Sequence, residues 1–143
     1  MYLRRVPAGP ASLGVVLKAL VLDYAGVLTD PDAAELFDAV LELRDRGVPT
    51  ALLSNAAGGS GEVKRRFSRY FDAVVFSGEV GVAKPDPRIY LLTAGLLGVP
   101  ADSCVFVDDS AVNVAGAVAA GMTGVRHSSV TGTLSELRVL LPA

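Results

Sequence analysis

The sequence predicts an α/β protein: a doubly wound, five-stranded parallel sheet held between two layers of helices. Three observations carry this. Five short apolar runs alternate with five stretches of helical periodicity, the pattern that right-handed crossovers turn into a parallel sheet. The first run, 15–22, is apolar throughout except for Lys18, as a strand covered on both faces must be. Three of the runs end in polar groups, Asp23, Ser54-Asn55 and Asp108-Asp109, on the sheet edge where open α/β proteins gather their ligands.

Taken in order, residues 1–14 read as a loose leader rich in Pro and Gly, and 15–143 as a single domain, the number that 143 residues allow. Arg4 and Arg5 precede an apolar run as in a secretion signal, but Lys18 interrupts it and no small-residue cleavage site follows. After the strand 15–22, Asp30 and Pro31 have the form of an N-cap and first helical position. Ala33, Leu36, Phe37, Val40 and Leu41 recur at helical spacing until Gly47. Residues 49–53 form the second strand and 56–61 a Gly-rich loop without the Gly-Lys-Ser/Thr ending of a phosphate-binding P-loop. A basic, exposed helix over 62–69 precedes the third strand, 73–76. Asp86-Pro87 again opens a helix, with Ile89, Leu92 and Leu96 on one face and Gly98-Val99-Pro100 at its end. The fourth strand is 103–107, Ser110 caps a helix over 111–120, and 123–126 is the fifth strand. Thr133-Leu134-Ser135-Glu136 has the form of a capping box for a last helix through Leu140.

Composition narrows the function classes. Hydrophobic residues make up 51% and charged residues 20%, enough for a real core. A net charge of −2 gives no electrostatic footprint for nucleic acid or an anionic membrane, and no segment is long and uncharged enough to cross a bilayer. One cysteine, Cys104, permits neither an internal disulfide nor a cysteine metal cluster, which fits a cytoplasmic setting. Cys104 itself reads as core, Tyr24 as packing, Arg65, Arg66 and Arg69 as a solvated face, and the single histidine, His127, as incidental.

The chemistry concentrates at the strand ends. Asp23, Asp108 and Asp109, the Ser54 hydroxyl and the Lys84 ammonium are expected to converge on one crevice. Clustered carboxylates repel unless a cation sits among them, and oxygen-only ligands select Mg²⁺. An ammonium and a hydroxyl alongside suit a phosphoryl group, and a remaining carboxylate can attack it. Asp109 and Ser110 could also simply cap a helix, and Asn113 could be a surface residue on it.

This constellation resembles the haloacid dehalogenase (HAD) superfamily. Asp23 in Asp23-Tyr24-Ala25-Gly26-Val27 matches the first motif, Leu52-Leu53-Ser54-Asn55 the second, the run 77–87 around Lys84-Pro85 the third, and Val105-Phe106-Val107-Asp108-Asp109 with Asn113 the fourth. The resemblance implies a three-layer Rossmann-like fold and Mg²⁺-dependent phosphatase-type chemistry through an aspartyl-phosphate at Asp23. It further implies that Asp23, the Ala25 carbonyl and Asp108 hold the metal. Ser54 and the Asn55 backbone bind phosphoryl oxygens, Lys84 neutralises developing charge, and Asp109 supports the metal shell or Lys84.

Two departures from the family pattern matter. Phosphatases of the superfamily usually carry an acid/base aspartate two residues after the nucleophile, and here that position is Ala25, which implies slow hydrolysis. The Asp-x-Ala-Gly form is similar to that of phosphonoacetaldehyde hydrolases, but residues 24–53 contain no lysine for their Schiff base. Asp23 to Ser54 and Ser54 to Lys84 each span about 30 residues, room for sheet and helix but not for a cap domain. An open crevice suits a phosphoprotein as well as a phosphorylated small molecule, or a partner subunit of a homo-oligomer as its lid. Two readings follow: a capless, slow hydrolase, or a catalytically silent domain that binds a phosphorylated ligand or protein.

Overall fold

The computed structural model of the chain describes residues 5–6 and 16–143. Strands β1 (Arg5–Val6), β2 (Ala19–Leu22), β3 (Thr50–Ser54), β4 (Ala73–Phe76), β5 (Cys104–Asp108) and β6 (Thr123–Arg126) form one sheet in the order β1-β6-β5-β2-β3-β4. The five strands β2 to β6 pair in parallel, and β1 adds a short antiparallel edge beside β6, with Arg5 opposite Val125. The helices are α1 (Ala34–Asp45), α2 (Gly61–Ser68), α3 (Ser77–Val80), α4 (Pro87–Leu97), α5 (Ala111–Ala119) and α6 (Val130–Leu140).

The alternation of side chains along a strand divides the interior into two cores. Leu20 and Leu22 of β2 face one way, against Leu36 and Val40 of α1, Phe67 of α2 and Leu134 and Leu137 of α6. Ala19 and Val21 face the other way, against Ile89, Tyr90 and Ala94 of α4 and Ala117 of α5. Fully burying such a Leu or Ile side chain is worth about 1.5–3 kcal/mol, so the central strand is anchored from both sides. This anchoring fixes the strand ends. Leu22 lies between Leu52 and Val107, and the Asp23 N–H donates to the Val107 carbonyl at 3.0 Å, which puts Asp23 beside the ends of β3 and β5.

The structure departs from the sequence reading in several places. The first strand is Ala19–Leu22 rather than 15–22: Val16 is exposed, although pairing begins one residue early, with the Lys18 N–H on the Ser103 carbonyl. The leader, residues 1–14, falls outside the described residues except for Arg5–Val6, whose backbone pairs with β6. Asp30 does not cap α1. It closes a turn by accepting from the Asp32 N–H at 2.9 Å, and the helix starts at Ala34. Part of the third motif forms the short helix α3, with Gly81 beyond it at a φ of 79°.

On α4 the buried face is Ile89, Tyr90, Thr93, Ala94 and Leu97, while Leu92 and Leu96 are exposed. Ile89 is buried as expected, but the helix is apolar on nearly every side, so periodicity alone does not separate Leu92 and Leu96 from the face that packs on the sheet. The last helix begins at Val130 with Ser129 as its cap, accepting from the Gly132 N–H at 3.0 Å. Thr133 is therefore inside α6 and buried, not at its start.

Candidate active site

The loop 24–28 leaves the end of β2 and carries Asp23 at its base. The Thr29 N–H reaches back to the Tyr24 carbonyl at 3.3 Å, and the Gly26 N–H donates to Thr29 Oγ1 at 2.8 Å. Gly26 has a φ of 85°, a left-handed conformation that favours glycine, and a Cβ there would collide with the Asp109 carboxylate. The glycine therefore lets the end of β5 close onto the loop that follows Asp23. Tyr24 rests edge-on against Phe67 of α2, ring centres 5.6 Å apart, in agreement with a packing role.

Lys84 lies at the centre. Its side chain is almost fully buried, and Nζ donates to Asp23 Oδ1 at 2.7 Å, Asp108 Oδ2 at 3.0 Å and the Leu53 carbonyl at 2.9 Å. Three acceptors match the three donors of an ammonium, so the buried charge is satisfied. Its backbone is fixed by Asn55, which accepts from the Lys84 N–H at 2.9 Å and donates to the Lys84 carbonyl at 3.0 Å. This grip of Asn55 on the Lys84 backbone is not legible in the sequence, since side chain to backbone pairing leaves no pattern in residue type. Ser54, also buried, ends β3 beside it.

Asp108 is fully buried and held from three sides. Oδ1 accepts from the Ser110 N–H at 2.9 Å, and Oδ2 accepts from Asn113 Nδ2 at 3.1 Å as well as from Lys84. Asn113 is thus a half-buried orienting group rather than a surface residue, and Ser110 caps α5 as expected, accepting from the Asn113 N–H at 3.2 Å. Tyr90 donates to the Asn113 carbonyl at 2.7 Å. Burial, with Asp108 and Asp23 nearby, pushes its phenol well above the usual range and keeps it neutral.

Burial pushes the Asp23 carboxyl up to about 6; Lys84 pulls it down, and the neighbouring Asp108 adds to the rise. Asp109 is also raised, first by burial and then by Asp108. Asp23, Asp108 and Asp109 each offer a carboxylate oxygen, all within 4.8 Å of one another. A cluster of hard oxygen donors, with the charged forms of Asp23 and Asp109 disfavoured by burial, fits a hard divalent cation, so the residues present suit Mg²⁺.

His127 has partners at both ring nitrogens. It is buried just beyond β6, with Nε2 3.0 Å from Asp30 Oδ2 and Nδ1 2.7 Å from Thr133 Oγ1. The available signal was positional: a histidine at a strand end on the same sheet edge as Asp30. Cys104 is buried, and burial pushes its thiol up to about 12. Between Asp23 and Ser54 lie only the loop and α1 before β3, and between Ser54 and Lys84 only α2, β4 and α3; neither interval holds a cap domain.

A sheet with carboxylates on the ends of its two central strands and a lysine between them defines a class. The chain belongs to the haloacid dehalogenase-like hydrolase family, whose model matches residues 10–121. Among individual proteins it is similar to phosphatase MT3486 of Mycobacterium tuberculosis, 36% identical over 132 residues; the match covers 84% of this chain and 59% of that phosphatase. A crystal structure of an uncharacterized protein from Corynebacterium glutamicum superposes with a TM-score of 0.79 at 36% identity, covering 87% of this chain and 94% of that one. A HAD family enzyme from Bacteroides thetaiotaomicron, solved with magnesium and inorganic phosphate, shares the fold, with a TM-score of 0.55 at 23% identity over 68% of this chain and 53% of that one. No described helix is long and apolar enough to cross a membrane.

Proposed function

We propose that the chain is a Mg²⁺-dependent hydrolase of phosphate esters or anhydrides that works through an aspartyl-phosphate at Asp23. The observation that carries this is the buried Lys84 ammonium, within hydrogen-bonding distance of both Asp23 and Asp108, with a third carboxylate, Asp109, in the same cluster.

Asp23, Asp108 and the Ala25 carbonyl are the groups that would hold Mg²⁺, with Asp109 in support. When bound, the ion neutralises the carboxylates and draws a phosphoryl group toward them. Asp23 attacks phosphorus, forming the carboxylate oxygen–phosphorus bond as the bond to the leaving oxygen breaks. Lys84 offsets the charge that gathers on the phosphoryl oxygens, and the Ser54 hydroxyl and Asn55 N–H hold those oxygens in place. Water then attacks the aspartyl-phosphate and releases phosphate. Position 25 is exposed and carries a methyl group, so the chain supplies no acid there for the leaving oxygen and no base for the water. Substrates with acidic leaving groups, aryl or acyl phosphates, therefore suit this site better than alkyl phosphates. Both a phosphorylated small molecule and a phosphoprotein can approach strand ends that no inserted domain covers.

Ala25 is the observation that favours a second reading, a domain that binds a phosphorylated ligand without turning it over. One experiment separates the two: phosphate release from nitrophenyl and acetyl phosphate at saturating Mg²⁺, with Asp23→Asn as the blank. The hydrolase reading expects turnover well above the blank. Equality with the blank on every activated phosphate overturns it in favour of the silent domain.

A further inference from the structure

We propose that His127 and Asp30 are positioning residues that clamp the nucleophile loop, 23–30, to the end of β6 and the start of α6. The inference deepens the reading of Asp23 as nucleophile. The loop is held at its near end by the sheet, through the Asp23 N–H on the Val107 carbonyl. At its far end it is held by Asp30, whose Oδ2 lies 3.0 Å from His127 Nε2.

The chemistry of the partners fixes the proton. A carboxylate accepts only, so Nε2 carries the hydrogen and donates to Asp30. Nδ1 pairs with the Thr133 hydroxyl, 2.7 Å away in the first turns of α6. Asp30 is itself organised by the loop, since Oδ1 accepts from the Asp32 N–H and the Asp30 N–H donates to the Val27 carbonyl at 3.3 Å. The His127 N–H donates to the Asp108 carbonyl at 2.9 Å. The buried ring thus ties the loop that follows Asp23 to α6, and the His127 backbone N–H joins both to the strand end that bears Asp108. None of these contacts touches Lys84, Ser54 or Asn55. The clamp therefore sets where the loop backbone lies, including Gly26 under the Asp109 carboxylate and the neighbouring Ala25, without contributing a group to the crevice.

Amide hydrogen exchange on the full chain tests this directly. In His127→Ala, the Gly26, Thr29 and Asp30 amides should exchange at least about tenfold faster relative to the β2 and β5 amides, the size expected for loss of a hydrogen bond to a charged group. Ile89→Ala, buried in the core on the opposite face of the sheet from α6, supplies the control: it should lower global stability while leaving the loop-to-sheet ratio unchanged. Thr133→Val, which keeps side-chain shape, should accelerate the loop amides by a smaller factor and covers the case in which His127→Ala does not fold. Where wild-type activity is measurable, His127→Ala should lower kcat with KM little changed, and Asp30→Asn, which retains an acceptor for Nε2, should lower it less. A uniform rise over all amides, or loop amides that do not change in either His127→Ala or Thr133→Val, overturns the clamp. Absence of wild-type turnover would instead count against the hydrolase reading alone, because exchange reports the loop whether or not the chain is active.

Discussion

Lys84 has an internal acceptor for each of its ammonium protons, and two of these acceptors are carboxylates. Lys84→Met should therefore leave Asp23 and Asp108 facing each other without compensation. Urea denaturation at neutral pH should show a loss of about 3–5 kcal/mol, the usual result of removing one partner of a buried charge set. Millimolar Mg²⁺ should restore part of the loss. Ala25→Asp tests the missing acid: general acid–base catalysis contributes about 10²–10⁴-fold, so phosphate release from alkyl phosphates should rise toward that range. The gain on nitrophenyl phosphate should be smaller, since its leaving group needs little protonation. At this scale the sequence was informative about Asp23, Asp108 and Asp109, because strand ends combine position with residue type, and about Lys84 through the run 77–87 before α4. It was silent about Asn55 gripping the Lys84 backbone and about His127, because those partnerships depend on side-chain direction across distant segments.

Helix α4 shows what periodicity alone can and cannot decide. Its sequence gave the start, since Asp86 accepts from the Arg88 N–H at 2.9 Å and Pro87 follows, but not the rotation about its axis. Two substitutions separate the faces. Ile89→Ala should cost about 2–5 kcal/mol by leaving a cavity against the sheet. Leu96→Ser, on a residue 61% exposed, should stay within about 0.5 kcal/mol in the same denaturation experiment. The cap adds a pH signature. Hydrogen bonds from the Arg88 side chain, and then from its N–H, hold the Asp86 carboxyl down at about 2 against an ordinary 3.8. A depressed carboxylate contributes stability above its unfolded pKa and loses it as pH falls through the folded one. The melting-temperature deficit of Asp86→Ala should therefore be full at pH 7 and shrink between about pH 4 and pH 2. The capping box at Thr133 misled for a related reason: the same four residues read equally well one turn inside a helix already started by Ser129.

For the molecule as a whole, the alternation of five apolar runs with helical stretches was enough to give the five parallel strands and the edge on which the site lies. The antiparallel β1 was not legible, because two paired residues leave no periodicity. The shared edge brings Asp23, Asp108 and Asp109 together only in the folded state, so the proposed Mg²⁺ site is linked to folding. Mg²⁺ at about 100 times its dissociation constant should add about 2.7 kcal/mol of stability. A chelator should remove that increment, and Asp108→Asn should abolish it, both read by thermal melting.

The strand order also has a consequence for biosynthesis. β2 pairs with β3 soon after it in the chain, but its other edge must wait for β5, with Leu20 finally opposite Val105. Until the ribosome has released residues through Asp108, the central strand has one side unpaired and Lys84 lacks one of its carboxylates. A seam closed by such distant segments is slow to form, because the entropy of closing the loop comes before the contacts that reward it. Any fragment ending before β5 therefore exposes an apolar strand edge at its centre, and a nascent chain paused there is the species that a holding chaperone would meet.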